Sequence, residues 1–359
     1  MSVSPVLENK SVPRNFVLEL TRRCNNRCVY CYLSGGDAAA QSKSARAAEM
    51  STDEVLQLVS GLHREVALKS LALSGGESLL REDLPQILSF LRELKIQPVV
   101  ISNGTLLTPD KIKDLVDGVT FEITLLSHRS SVHDRMVGHV GAWEKVVANL
   151  THLRRAKGSF VTVFVATKLN CNDLRKTAEL AIALGADALM YNRINLAEHN
   201  YHLASQLLPS AEVIGENLDT LEEFGEKYKL PVSVSVVIEP CVLDTTKYKH
   251  IHFGWCPLGG EDSYFTIDPS GNLRVCNHSP KILGNLCQRS FRSIYFGHPD
   301  LRLFRDTLPE ECVACRPEWK ALCRGGCKAA AEQCYGSLQR VDPFVSLNSV
   351  TYARERAHF

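Results

Sequence analysis

The sequence predicts an α/β fold with parallel strands, followed by a cysteine-rich C-terminal third. Two observations carry this. Short apolar runs alternate with helix-period segments six times, at a spacing of roughly 30 residues, as parallel strands joined by right-handed crossovers require. Nine of the thirteen cysteines fall from Cys241 onward. Six strand–helix units fit an open or partial barrel as well as a doubly wound sheet, and the pattern does not choose. In either, chemistry collects at the carboxyl ends of the strands.

The chain has 359 residues, 45% of them hydrophobic, enough for one large domain and a smaller one around a sizeable core. A net charge of +1 gives no support to a nucleic-acid partner. The opening MSVSPVLENKSVPRN has no apolar signal core, and no apolar run approaches the ~18–20 residues of a membrane span. A soluble, cytoplasmic protein is expected. An odd number of cysteines without an export signal is a poor disulfide framework. In a reducing compartment, closely spaced cysteines more often bind metal.

Residues before Phe16 read as an arm, and Phe16–Leu20 as the first strand. Cys24, Cys28 and Cys31 follow as C-x3-C-x2-C within TRRCNNRCVYCYLSGG. Three thiolates on one loop suit zinc, copper(I) or an iron–sulfur cluster. Structural zinc and a fully protein-held [4Fe–4S] cluster want four ligands, and no fourth Cys or His follows nearby. A cluster on three thiolates keeps one iron open to a ligand that is not protein. The alternative is a zinc loop completed by a distant residue. Asp37–Glu49, rich in Ala and Ser, reads as a mobile excursion. Ser51 and Glu54 form a capping box, and Val55, Leu56, Val59 and Leu62 supply the helical period.

Ser70–Leu73 is a strand ending in Gly75-Gly76-Glu77; the glycines permit close backbone approach, and Glu77 offers an acceptor for an ammonium. Asp83–Leu94 is a helix. Gln97–Ile101 is a strand leaving through Ser102-Asn103-Gly104, and Thr108–Val116 a helix. Val119–Leu125 is a strand and Ala142–Arg155 a helix, with His128, His133, Asp134 and Arg135 on the loop between. Phe160–Ala166 is a strand, Asn172–Leu184 a helix and Ala188–Tyr191 a strand running out to Arg193. Leu208–Lys227 reads as a helix and Pro231–Ile238 as a strand. Ser263–Asp268 and Asn272–Val275 form a hairpin about Asp268-Pro-Ser-Gly271.

The cysteine loop resembles the cluster motif of the radical S-adenosyl-L-methionine (SAM) enzymes, including the aromatic Tyr30 before the last cysteine. Gly75-Gly76-Glu77 resembles that family's GGE motif. The resemblance implies a partial (β/α)6 TIM-type barrel. It implies a [4Fe–4S] cluster on Cys24, Cys28 and Cys31 whose open iron is chelated by the amino and carboxylate groups of SAM. Tyr30, Gly75, Gly76, Glu77, Ser102, Asn103, Thr124 and Arg193 are then the expected SAM contacts. A lone arginine is otherwise a surface ion pair. Asn170, in a K-L-N sequence, and the H-D-R-x-x-G ending at Gly138 also recur in the family; Asn170 reads equally as a turn residue, and His133 and Asp134 as residues ordering their loop. The implied chemistry is one-electron reduction of SAM to methionine and a 5′-deoxyadenosyl radical, with an electron donor such as flavodoxin or ferredoxin.

The tail has Cys256, then Gly271-x4-Cys276, then Cys312-x2-Cys315-x7-Cys323-x3-Cys327 and Cys334. It resembles the SPASM extension of radical SAM enzymes, as do Leu283-Gly-Asn-Leu286, a helix over Ser290–Phe296 and Arg324-Gly-Gly326. The implied layout is an arm (1–15), the barrel (16–230), a SPASM domain of β-hairpin plus helices (231–338) and a tail (339–359). Two auxiliary [4Fe–4S] clusters are implied, one on Cys256, Cys276 and Cys327 and one on Cys312, Cys315, Cys323 and Cys334. Two departures stand out: the family pattern has five residues where Cys315-x7-Cys323 has seven, and the interval from Cys327 to Cys334 is short. The first auxiliary cluster lacks a fourth protein ligand; Cys241 and Cys287 are candidates, or the site is open. Cys171, isolated, reads as structural. A pair of zinc sites would also use C-x2-C spacing.

SPASM enzymes mostly modify peptides or proteins, and others act on cofactor or haem precursors. Sulfatase-maturing relatives carry an aspartate base after the cysteine matching Cys276; here Asn277 is a poor base, and His278 reads as a hairpin-end histidine. The segment ahead of the first strand is short for a peptide-recognition domain, so recognition needs a separate protein or the barrel's own edge. The expected function is oxidative modification of a peptide, since auxiliary clusters can accept the substrate radical's electron. The alternatives are a radical SAM enzyme for a small-molecule or haem precursor, and a non-catalytic iron–sulfur carrier or zinc scaffold.

Overall fold

The computed structural model describes residues 12–33, 49–256, 262–313 and 315–348. Most of the predicted arm, the excursion over 37–48 and the tail beyond 348 lie outside them. In chain order the elements are β1 (Asn15–Thr21), α1 (Thr52–Val66), β2 (Ser70–Gly75), α2 (Leu84–Glu93), β3 (Gln97–Ser102), α3 (Pro109–Leu115), β4 (Thr120–Thr124), α4 (Ser130–Val137), α5 (Ala142–Arg155), β5 (Ser159–Ala166), α6 (Leu174–Ala183), β6 (Ala188–Arg193), α7 (Ala204–Leu207) and α8 (Ala211–Tyr228). There follow β7 (Val232–Val234), β8 (Ile251–Phe253), β9 (Phe265–Ile267), β10 (Asn272–Arg274), β11 (Ile282–Asn285), α9 (Phe291–Gly297), α10 (Pro299–Asp306), α11 (Pro317–Cys323), α12 (Lys328–Tyr335) and α13 (Pro343–Asn348).

All strands belong to one 11-stranded sheet in the order β11-β10-β9-β1-β2-β3-β4-β5-β6-β7-β8. From β1 to β8 every neighbour is parallel. The period-two burial of β5, SFVTVFVA, shows how this arises: Phe160, Thr162, Phe164 and Ala166 are buried, and the residues between are half-buried. Buried strand residues such as Leu71, Leu73, Val100, Phe121 and Phe160 share one core with the helices. The half-buried set, including Val17, Ala72, Val99, Ile101, Thr120, Glu122, Thr124, Val161 and Val163, lines the opposite, inner face of the barrel.

The capping box forms: the Ser51 N–H donates to Glu54 Oε2 at 2.7 Å and the Glu54 N–H to Ser51 Oγ at 3.3 Å. Leu58, rather than Leu56, completes the buried stripe of α1. The expected strand over 231–238 is three residues long. Asn192 Oδ1 takes the N–H groups of Ser235 and Val236 at 2.9 and 3.1 Å, ending the ladder there. The loop expected around His133 is the helix α4, stopped by Gly138 at φ 62°. It has no side-chain N-cap, so no start signal marks it in the sequence.

The hairpin β9–β10 does not stand apart. β9 pairs in parallel with β1, Phe16 opposite Phe265 and Leu18 opposite Ile267. Phe291 of α9 stacks edge-on against both Phe16 and Phe265, with ring centroids 5.1 and 5.6 Å apart, and clamps the hairpin to the barrel. The stretch assigned to a tail from 339 is also integrated as far as 348: Val341, Asp342 and Phe344 are buried.

Candidate active site and cysteine-lined centres

The front cysteine loop crosses the carboxyl ends of the strands and is fastened on several sides. The Arg27 and Val29 N–H groups donate to Val137 O and Met136 O of α4 at 2.8 and 2.9 Å. From β2, the Gly76 and Glu77 N–H groups donate to Thr21 O and Arg23 O, both at 2.8 Å. A Cβ on Gly75 would lie 2.3 Å from Thr21 O, and one on Gly76 2.1 Å from Arg23 O. The glycines of the GGE motif are therefore demanded by the close approach of the cysteine loop itself. From β3, the Asn103 Nδ2–H donates to Asn25 Oδ1 at 2.8 Å, and the Asn25 Nδ2–H to Thr105 Oγ1 at 2.7 Å. His199 and Asn200 both donate to Cys31 O, at 2.8 and 3.3 Å.

Cys24, Cys28 and Cys31 share one electrostatic neighbourhood. Burial, then the charges of Glu77 and Cys31, push the Cys24 thiol up to about 11, against a bond from the Asn26 N–H. Burial, then Cys31, pushes Cys28 up to about 12. Burial also raises Cys31 and, with the nearby thiolates, holds Tyr30 well above its usual range. Metal binding to such thiols must release their protons. Glu77 is fully buried; its carboxylate accepts from Ser102 Oγ–H (2.7 Å), Asn103 N–H (2.8 Å) and Leu79 N–H (3.1 Å), and burial raises its pKa. It thus joins the GGE and SNG loops beside Cys24. Thr124 ends β4 on the inner face, opposite Val163.

None of the thirteen cysteines is in a disulfide. Among the described residues no group of three or more His, Cys, Asp or Glu side chains is drawn together closely enough to hold a single metal ion. In the C-terminal third the thiols instead gather in two sets. Cys241, Cys312, Cys315 and Cys323 line one cavity. Cys256 and Cys276 raise the half-buried Cys327, after burial and Asp342. A cavity bordered by four thiols suits a cluster whose irons take one thiolate each. Of the predicted second set, Cys312, Cys315 and Cys323 line that cavity together with Cys241, and Cys334 is not among its lining residues. Cys334 packs against the main hydrophobic core. Cys287 lines a separate cleft with α1.

Arg193 is placed differently from a SAM contact or a surface pair. It is 1% exposed and spends its donors on Val237 O (2.9 Å), Asp342 (2.7 Å) and Glu239 (3.2 Å), over the Phe344 ring at 4.5 Å. Asp342 also accepts the Cys327 N–H at 2.9 Å, and Glu239 lines the four-cysteine cavity. Arg193 therefore ties the end of β6 to both thiol sets. Asn170 is a buried turn residue whose amide donates to Leu126 O and Val165 O at 2.8 and 3.0 Å. Asp134 accepts from the Gly141 and Trp143 N–H groups, starting α5. His278 is buried, donates to Leu196 O at 2.8 Å, and burial lowers it to about 4. The sequence reading missed Glu122. It lies half-buried on the inner face between Ile101 and Val161, its pKa raised by burial alone and its carboxylate without a partner among the described residues. The signal was an acid inside the apolar strand VTFEITLL.

Known proteins share this arrangement. The family model for the radical SAM superfamily matches residues 18–181, and that for the SPASM iron–sulfur cluster-binding domain matches 256–327. The chain carries a radical SAM domain followed by a SPASM domain. It is similar to the AdoMet-dependent heme synthase of Methanosarcina barkeri, 28% identical over 93% of this chain and 96% of that protein. It is similar to the PqqA peptide cyclase of Granulibacter bethesdensis, 25% identical over 96% and 90%. Among solved structures, Streptococcus suis SuiB bound to precursor peptide SuiA superposes with a TM-score of 0.74 at 14% identity, over 93% of this chain and 76% of that one. At that identity the match speaks for the fold, a TIM-like radical SAM barrel with its SPASM extension. The radical SAM enzyme requires SAM and iron–sulfur clusters; three thiols beside a buried carboxylate and a four-thiol cavity fit those groups.

Proposed function

We propose that this radical SAM/SPASM enzyme oxidatively modifies a peptide, by cross-linking or related C–H functionalisation. The observation that carries it is the convergence of the three-cysteine, GGE and SNG loops at the carboxyl edge of the sheet, in a chain with a second, cysteine-lined region. When bound, the SAM cluster and SAM supply a 5′-deoxyadenosyl radical that removes a substrate hydrogen. This chain's residues would then divide the work. Cys24, Cys28 and Cys31 hold the cluster. Glu77, Ser102, Asn103 and Thr124 border the SAM position, Glu77 offering lone pairs to its ammonium. Apolar residues of the inner face, such as Val17, Ala72, Val99, Ile101, Val161 and Val163, would help exclude water from the reacting groups. Glu122 offers the substrate an unpaired carboxylate.

The PqqA peptide cyclase and SuiB likenesses support a peptide as substrate. The full-length likeness to the heme synthase favours a second reading, a haem precursor. A separate peptide-recognition protein and an electron donor of the flavodoxin or ferredoxin kind go with the first reading, as does a cytoplasmic site. No helix among the described residues is long and apolar enough to cross a membrane. The layout into barrel (16–230) and SPASM region (231–338) goes with it too, although the sheet runs through both.

The test is anaerobic incubation with SAM, dithionite and a synthetic peptide encoded beside the gene. The expected result is 5′-deoxyadenosine together with a peptide that has lost two hydrogens. Turnover of a haem precursor with the peptide untouched would establish the second reading. Intact SAM with both would overturn the enzyme assignment.

A further inference from the structure

Cys241 belongs to no family motif in the sequence, yet it faces a cavity with three cysteines that do. It follows β7, in Ile238-Glu-Pro-Cys241. The Val242 and Leu243 N–H groups both donate to Glu239 O, at 2.8 and 3.1 Å, and close a tight turn at Cys241. The buried Glu239–Arg193 ion pair at 3.2 Å fixes that turn. Across the cavity, the Cys315 N–H donates to Cys312 O at 3.1 Å, and the Gly326 N–H to Cys323 O at 3.0 Å. Gly326, at φ +81°, lets its backbone come so near Glu239 that a Cβ would stand 2.1 Å from Oε1. The two walls are thus built to meet.

The lining of that cavity separates the two candidates: Cys241, Cys312, Cys315 and Cys323 border it, and Cys334 does not. A cluster held wholly by protein takes four thiolates, and the cavity offers four.

We propose that Cys241 is the fourth thiolate of the auxiliary cluster bound by Cys312, Cys315 and Cys323, in place of Cys334. The proposal rests on the radical SAM/SPASM reading. It makes this cluster a covalent link between the chain after β7 and the segment running from Cys312 through α11.

The experiment uses the full chain purified without oxygen, counting iron and sulfide and recording electron paramagnetic resonance spectra after reduction. Three [4Fe–4S] clusters hold about twelve iron. Cys241→Ala is expected to lose about four of them, and Cys334→Ala none. Cys241→Ser, in which serine oxygen replaces the thiolate, is expected to change the g-values of one auxiliary signal, whereas Cys334→Ser leaves the spectrum as in the unaltered protein. An unchanged Cys241→Ser spectrum, or loss of four iron from Cys334→Ala with twelve kept in Cys241→Ala, would overturn the proposal alone. About four iron in the unaltered protein would overturn the auxiliary-cluster reading along with it.

Discussion

The front and rear thiol sets solve the same problem in opposite ways. At the front, Cys24, Cys28 and Cys31 sit on one short loop, and hydrogen bonds from α4, β2, β3 and the His199–Asn200 turn hold that loop in shape. The rear thiols come from segments far apart in sequence, brought together by sheet pairing and one buried ion-pair cluster. The contrast teaches that a local site can be read from spacing, whereas a site assembled by tertiary structure can only be inventoried. It also predicts that the front set tolerates damage to the rear, and that the rear set depends on the whole fold.

The largest expected effect is the sharpest test of that independence. Cys28→Ala should bring 5′-deoxyadenosine formation to background while removing only about four iron per chain. Loss of all iron would show that the two regions fold as one metal-dependent unit. Next is Arg193→Met, which leaves Glu239 and Asp342 buried without their cation. Breaking a buried ion pair on one side costs roughly 3–5 kcal/mol, to be read in urea or thermal unfolding. Because Asp342 and Glu239 adjoin the two rear thiol sets, rear iron should fall first. Equal losses front and rear would break the comparison.

These effects mark where the sequence was legible. Strand and helix alternation across the barrel is local, and its elements lie within a few residues of the expected positions; α5 spans the predicted Ala142–Arg155. The pairing of β9 with β1 joins residues some 250 positions apart, and no periodicity encodes it. Gly75 and Gly76 were read as making room for a ligand, but the nearest obstacles are Thr21 O and Arg23 O. Arg193 illustrates the limit of motif position: a residue at a strand end can point at chemistry or hold two regions together, and only its partners tell which. The grouping of Cys241 was hidden for the same reason.

Gly76→Ala follows in size. Its Cβ would meet backbone, which cannot swing aside as a side chain does. Overpacking of this kind costs about 1–3 kcal/mol. The front loop should lose cluster occupancy, read as iron and as the SAM-dependent signal, with rear iron retained. Glu122→Gln tests a different trade. Burial raises the Glu122 pKa, so the folded chain favours the neutral carboxyl, and stability falls as pH rises from the ordinary carboxylate value through that raised one. The amide should therefore stabilise the protein slightly at neutral pH while lowering product formation and sparing basal SAM cleavage. Unchanged product would return Glu122 to a bystander.

A pH-dependent effect, absent at neutral pH, probes the front loop through α4. His133 is buried, its Nδ1 accepts the Leu126 N–H at 3.3 Å, and burial lowers its pKa from 6.5 to about 4. Between these values the unfolded chain binds a proton that the folded chain refuses. Stability is therefore complete above about pH 6.5 and falls as pH drops toward 4, by up to ~3 kcal/mol. α4 supplies Met136 O and Val137 O to the cysteine loop, so acid should loosen the front loop first. Hydrogen exchange at the Arg27 and Val29 amides should accelerate as pH falls from 6.5 to 4, after correction for intrinsic rates, ahead of amides in α12. His133→Gln, which has no proton to gain, should flatten that dependence while leaving the chain less stable at pH 7. An acid response identical in the variant would place the sensitivity elsewhere and leave α4 a passive support.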